Sequence, residues 1–228
     1  MVSKYEMKQA RLLLIVSRIF TKILTPTEQS VIILDMRQAS IEKRNKILEA
    51  ASLLIADGGM EGLSMSKLAK LSAVPQATIY VYFASKEVLL KELFTYTEEY
   101  ICQYIVNGFD MSQPVKECFQ EYSRRMIQLG RDHRDKILVH EQFLATQKSR
   151  NLDLQQVVVF YEPLYEFVER GQREGLIKGG APIVILSYFS MPINGILFGD
   201  MIWQNTPEQI WYDWLFSMSW DAIRVHED

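Results

Sequence analysis

Gln76, Ala77 and Thr78 are the residues whose types and positions most readily do chemistry. A glutamine amide bonds bidentately to the edge of adenine, and an alanine or threonine methyl group touches the methyl of a thymine. Reading bases in this way puts all three on the first turn of a helix that fits a major groove. The stretch around them, SMSKLAKLSAVPQATIYVYFASK from Ser64 to Lys86, carries the signals for that arrangement. Ser64 is a helix N-cap, its hydroxyl able to accept a free N–H of the turn formed by Met65, Ser66 and Lys67. Leu68, Ala69, Leu71 and Ala73 are expected to form the apolar side of that helix. Pro75 disfavours helical geometry at Val74 and presets its own φ for a new start. A second helix is expected from Gln76 to Val81. Two short helices joined by a tight turn make a helix-turn-helix, whose second helix enters a major groove.

Other chemistries find little support. The chain has no Gly-rich phosphate loop, no Ser or Cys nucleophile with a base, and no metal-ligand cluster, so neither an enzyme nor a cofactor is expected. Cys102 and Cys118 form no CxxC pair, and with no secretory segment they fit a reducing cytoplasm. Both lie on expected helices, where buried, inert thiols are the default. His133 and His140 read as surface residues of an exposed helix. The net charge of −3 conceals an uneven distribution. Residues 36–86 carry seven basic side chains against four acidic ones, whereas the chain after Lys86 has 13 Lys and Arg against 21 Asp and Glu. A mildly basic unit joined to an acidic one suits phosphate binding at one end.

Residues 1–35 form a leader. Its run RLLLIVSRIF is too short to span a membrane. Met36 is expected to be the initiator, with the leader as a gene-start artefact; the rival is an arm that adds DNA contacts through Lys4, Lys8, Arg11, Arg18 and Lys22. A first folded helix is expected from about Ser40 to Asp57-Gly58-Gly59, with Ile47, Ala51, Leu54 and Ile55 at helical spacing. Its cationic start, Lys43-Arg44 and Lys46, opposes the helix dipole. A fourth helix should start at Ser85 and stop near Gly108. Further helices are expected over 114–130, 133–146, 151–174, 182–203 and 206–224, the last with Thr206 as N-cap and Pro207 at N1. Pro163 and Pro192 should kink two of them. No strand alternation interrupts the series, so the expected fold is all-α, with a DNA-binding domain over 36–86 and a second helical domain over 87–228.

The run AVPQATIYVYFASKEVLL resembles the recognition-helix signature of the TetR family of bacterial transcriptional repressors, with Thr78, Ile79, Tyr80, Tyr82, Phe83, Ser85, Lys86 and Leu89 in register. Upstream, RNKILEAASLLIADGGMEGLSMSKLAKLSAV resembles the family's first two helices. Three departures stand out. Ala73 replaces the usual turn Gly and must adopt another conformation or carry strain. Pro75 stands where Ser or Thr often opens the recognition helix, and Val81 where a larger aromatic or His is common. The resemblance implies phosphate contacts by Tyr80, Tyr82, Lys86, Ser64 and Ser66, and possible contact by Arg44, whose charge a solvated face explains equally well. Tyr82 can pack or bind; Ile79 and Phe83 read as core. Phosphate contacts position the protein and carry no sequence information.

The resemblance further implies a homodimeric, ligand-regulated repressor in the cytoplasm, with a double-stranded DNA operator and a small-molecule effector as partners and no membrane. Many apolar residues on the last two helices, among them Ile183, Leu186, Phe189, Ile193, Ile196, Phe198, Trp203, Trp211, Trp214, Leu215, Phe216, Met218 and Trp220, suit a four-helix dimer interface, or they close the intramolecular core. Gly195 and Gly199 would allow close helix approach there. An effector pocket is expected among the middle helices, with Tyr104, Phe119, Tyr122, Met126, Phe143, Tyr161, Tyr165 and Phe189 as candidates, although such stripes are usually core. Glu141 and Glu162 lie among apolar neighbours, and a buried carboxylate needs a partner such as Arg124, Arg125 or a cationic ligand. A helical module that binds a protein partner and never meets DNA is the alternative; steep salt dependence separates the two.

Overall fold

The computed structural model describes residues 26–146, 154–198 and 208–226. Nine helices account for most of them: α1 (Pro26–Gly62), α2 (Met65–Ser72), α3 (Gln76–Tyr82), α4 (Lys86–Val106), α5 (Val115–Asp132), α6 (Arg134–Ala145), α7 (Leu154–Arg173), α8 (Pro182–Phe198) and α9 (Glu208–Ile223). Among the described residues there is no strand, only an isolated antiparallel bridge between Ile177 and Arg224, so the fold is all-α as expected. The chain divides into two compact units, with the boundary after Leu93 and thus inside α4. Leader residues up to 25, Gly199, Trp203 and the Thr206-Pro207 helix start lie outside the described residues, as do the side chains of Ile196, Phe198 and Trp211.

In the first unit, α1 begins at Pro26 and not near Ser40. Nothing between Thr27 and Ala39 breaks a helix, and Pro26 stands at the first helical position, where a missing N–H costs nothing. The glycine signal acts where expected: Gly58 and Gly59 leave helical geometry, Gly59 at φ 62°, before the helix resumes for a last turn. Ile47, Leu48, Ala51 and Ile55 form the inner face of α1, joined by Leu63, Leu68, Ile79, Phe83 and Leu89. The expected apolar side of α2 needs correction. Leu68 and Ser72 point inward, whereas Leu71 is 47% exposed and Ala73 is exposed. Ser72 tolerates burial because its hydroxyl donates to the Leu68 carbonyl (2.7 Å) and accepts from the Val74 N–H (3.3 Å).

In the second unit, α8 packs against α9, α5 and α7, and α5 also contacts α6, α7 and α9. Phe119 lies at the centre of the core, its ring centroid 4.7 Å from Phe189, 5.0 Å from Phe167 and 5.6 Å from Trp220. Ser85 caps α4, accepting the Val88 N–H at 3.3 Å. The far end of α4 is closed by Gly108 at φ 71° and by Arg125, whose guanidinium donates to the carbonyls of Ile105 (2.9 Å), Asn107 and Gly108 (3.2 Å). A cation over a helix C-terminus satisfies orphan carbonyls and complements the helix dipole. Helices α7 and α8 continue through Pro163 and Pro192.

Candidate nucleic-acid interface

The short helix α3 is presented by two anchors. Ile79 is 0% exposed, and Phe83, also buried, closes the helix by donating its N–H to the Ile79 carbonyl at 2.8 Å. With the inner side held at Ile79, the opposite side turns outward: Gln76 and Ala77 are exposed, Thr78 half-buried, Tyr80 45% and Val81 55% exposed. Pro75 occupies the N-cap of α3, one position earlier than a first-turn proline. The preceding turn resolves the question raised by Ala73, which adopts left-handed φ 52°, ψ 30°. A non-glycine residue in that region carries local strain.

Ser64 caps α2 as expected, its hydroxyl accepting the Lys67 N–H at 3.3 Å, with the Ser66 hydroxyl 3.3 Å away. Two cations of the expected site are held inside the first unit. Arg44 pairs with Glu92 and lies 5.9 Å from the centroid of the Phe83 ring. Lys86 donates from Nζ to the Leu63 carbonyl at 2.6 Å, just beyond the end of α1. Tyr82 is half-buried, and its hydroxyl accepts from Ser40 at 3.4 Å. The ammonium groups of Lys67 and Lys70 on α2 belong to exposed residues.

The residues considered for an effector are spread through the second unit. Tyr122, Met126 and Phe143 are buried in its packing, Tyr122 with its hydroxyl 2.8 Å from that of Ser190 and Phe143 5.1 Å from Phe94. Phe119 and Phe189 are core. Tyr104 instead donates to the Asp132 carboxylate at 2.7 Å near the surface, a bond that helps push its phenol up to about 12. Glu162 is exposed and Glu141 half-buried. Neither expected arginine partner meets a buried carboxylate: Arg125 caps α4, and Arg124 lies 5.7 Å from the centroid of the Tyr212 ring.

The buried carboxylate is Glu98, 2% exposed, which the sequence reading passed over. Its two oxygens accept from His140 Nδ1 (2.5 Å) and the Tyr161 hydroxyl (2.8 Å), joining α4, α6 and α7. His140 is therefore not the surface residue expected. Burial works against its imidazolium, but the charge and hydrogen bond of Glu98 outweigh that and hold it above its ordinary value. Burial, the Glu98 charge and the same hydrogen bond push the Tyr161 phenol well up. The Tyr165 hydroxyl is buried with no hydrogen-bond partner among the described residues. Helical spacing held a clue to Glu98, since Phe94, Glu98, Ile101 and Ile105 share one face of α4 and the other three are buried. Lys136 is also buried, its ammonium 3.2 Å from Asp135 and 5.2 and 5.3 Å from the centroids of Tyr96 and Tyr100. A groove of about 410 Å3 between α5 and α9, lined by Lys116, Arg124, Tyr212, Phe216, Trp220 and neighbours, contains none of the expected effector residues.

No group of three or more metal-ligating side chains occurs among the described residues, and no helix there is long and apolar enough to cross a membrane. Residues 47–93, from the inner face of α1 through α3 into α4, match the family model for bacterial regulatory proteins of the tetR family. An uncharacterized HTH-type transcriptional regulator of Haemophilus influenzae is 34% identical over 86 residues, 38% of this chain and 46% of that protein, so the match spans less than half of the relative. The HTH-type regulator YhgD of Bacillus subtilis is 27% identical over 142 residues, 62% of this chain and 73% of that protein. A TetR family transcription regulator from Marinobacter aquaeolei superposes with a TM-score of 0.72 at 23% identity, covering 83% of this chain and all of that one, a likeness of fold alone. The family match falls on the segment that turns α3 outward, so residues 47–93 of this chain are similar to the bacterial regulatory proteins of the tetR family, within an all-helical architecture.

Proposed function

We propose that this protein is a transcriptional repressor that binds a near-palindromic operator as a homodimer and is released by a small-molecule effector. The observation that carries the DNA-binding part is the outward face of α3: Ile79 and Phe83 are buried, and Gln76, Ala77 and Thr78 are left on a first turn open to base edges. Ser64, Ser66, Tyr80, Tyr82, Lys86 and Arg44 surround that face as phosphate-contact candidates, with Lys86 and Arg44 also serving the fold.

Dimerisation is supported by apolar side chains that remain exposed on the last two helices. Ile183, Val184, Tyr188 and Met191 on α8 and Trp214 and Met218 on α9 face outward, while Leu186, Phe189, Ile193, Leu215 and Phe216 are buried. Two-fold symmetry then pairs two α3 helices with two half-sites one helical turn apart. For the sensor, the hydrogen-bonded group Glu98, His140 and Tyr161 offers a polar anchor among apolar helices, with the buried Tyr165 hydroxyl, which has no hydrogen-bond partner among the described residues, nearby in sequence. An effector that rearranges this group shifts α4, changes the spacing of the two DNA-binding units and lowers operator affinity. DNA then weakens effector binding by the same factor.

The test is binding of the full chain to the DNA upstream of its own gene at two salt concentrations, beside Gln76→Ala and Thr78→Ala. Specific, salt-sensitive binding that both substitutions weaken supports the reading. Binding without salt sensitivity favours a protein partner instead.

A further inference from the structure

Resting on the DNA-binding reading above, we propose that α3 recognises A·T base pairs, reading thymine through its C5-methyl group with Ala77 and Val81 and adenine through Gln76, with no cation on this helix to read guanine. Three observations carry this. First, no Lys or Arg occurs between Ala73 and Ser85, so the commonest specific contact in the major groove, a cation on the O6 and N7 of guanine, is unavailable from α3. Second, the cations next to it in sequence and space have partners within the fold and lie off α3: Lys86 donates to the Leu63 carbonyl, and Arg44 pairs with Glu92. Third, burial of Ile79 orients the helix so that Ala77 and Val81, one turn apart, form an exposed apolar stripe beside Gln76 and Tyr80.

Val81 is 55% exposed and gains little from folding. Opposite a thymine it gains more, because two methyl surfaces leave water together. The magnitude follows from burial of a single methyl, which changes affinity by about fourfold. Beside the phosphate-contact candidates named above, the exposed Lys67 and Lys70 of α2 can add sequence-independent attraction.

The experiment selects duplexes from a random pool with the full-length protein, then replaces each thymine of the selected site by deoxyuridine, which removes the methyl and leaves base pairing intact. A·T-rich half-sites are expected, with about fourfold loss of affinity at one or two thymines in each. Val81→Ala should weaken the parent site and make one of those positions indifferent to uracil. Half-sites dominated by G·C pairs overturn the proposal, and so does an A·T preference that deoxyuridine leaves unchanged, since groove shape alone would then account for it. Failure to enrich any duplex removes the DNA-binding reading and this proposal with it, whereas the other two adverse results leave DNA binding standing.

Discussion

The hydrogen bond between His140 Nδ1 and the Glu98 carboxylate makes the second unit sensitive to protonation. His140 is held above its ordinary value of 6.5, so the folded chain binds this proton more tightly than the unfolded chain. Its contribution to stability is fully present below that ordinary value and is lost as pH rises through the raised one. The melting temperature should therefore fall as pH rises above about 6.5, through the raised value, and fall less in His140→Gln. Equal declines in the two proteins would show that the pair adds nothing. Lys86, proposed above as a phosphate contact, also serves the fold. Its charged hydrogen bond to Leu63 implies that Lys86→Ala loses roughly 1.5 kcal/mol of stability, measured by urea unfolding, apart from any effect on DNA. Unchanged stability with weakened DNA binding would assign Lys86 to phosphate alone. The bond to Leu63 was not legible from residue type, because its carbonyl lies 23 residues away. Glu98 was hidden differently: the next residue is also Glu, and only the spacing to Phe94, Ile101 and Ile105 distinguishes them.

Helix ends obey local rules here, and departures from those rules are where elements are tuned. Ala73 ends α2 in the left-handed region, where a Cβ crowds the backbone and glycine does not. Ala73→Gly should raise stability by about 0.5–1 kcal/mol, the relief of strain exceeding the extra entropy of glycine in the unfolded chain. A loss on urea unfolding would mean that the turn is set by tertiary contacts. Caps at Ser64 and Ser85 and stops at Gly59 and Gly108 were all readable, since each depends on side chains within a few residues. The start of α1 was not. Ser40 is an acceptable cap, but a helix already running from Pro26 has no need of one. On α2, burial of Ser72 in place of Leu71 went unforeseen because the hydroxyl finds its partners only in the folded turn.

For the molecule as a whole, the dimer proposed above ties oligomeric state to DNA affinity through the outward apolar residues of α8 and α9. Met191 is exposed between Tyr188 and Gly195, which are also exposed. Met191→Glu should leave helical content unchanged while shifting the protein to monomers in sedimentation, since a charge resists burial against an apolar partner. Operator affinity should then drop by roughly 100-fold, because two half-sites are no longer engaged by one body. A wild-type protein that sediments as a monomer would end this account of the interface.

By itself the sequence determined the helical class, most helix limits and the helix-turn-helix, since periodicity, caps, glycines and prolines act over a few residues. Tertiary structure decided which face of each helix turns inward and which charges are engaged. Arg44 meets Glu92, Glu98 meets His140 and Tyr161, and Lys86 reaches Leu63, partners lying 48, 42, 63 and 23 residues apart. No local signal connects such positions, because desolvation and ion pairing depend on neighbours that only the packed chain brings together.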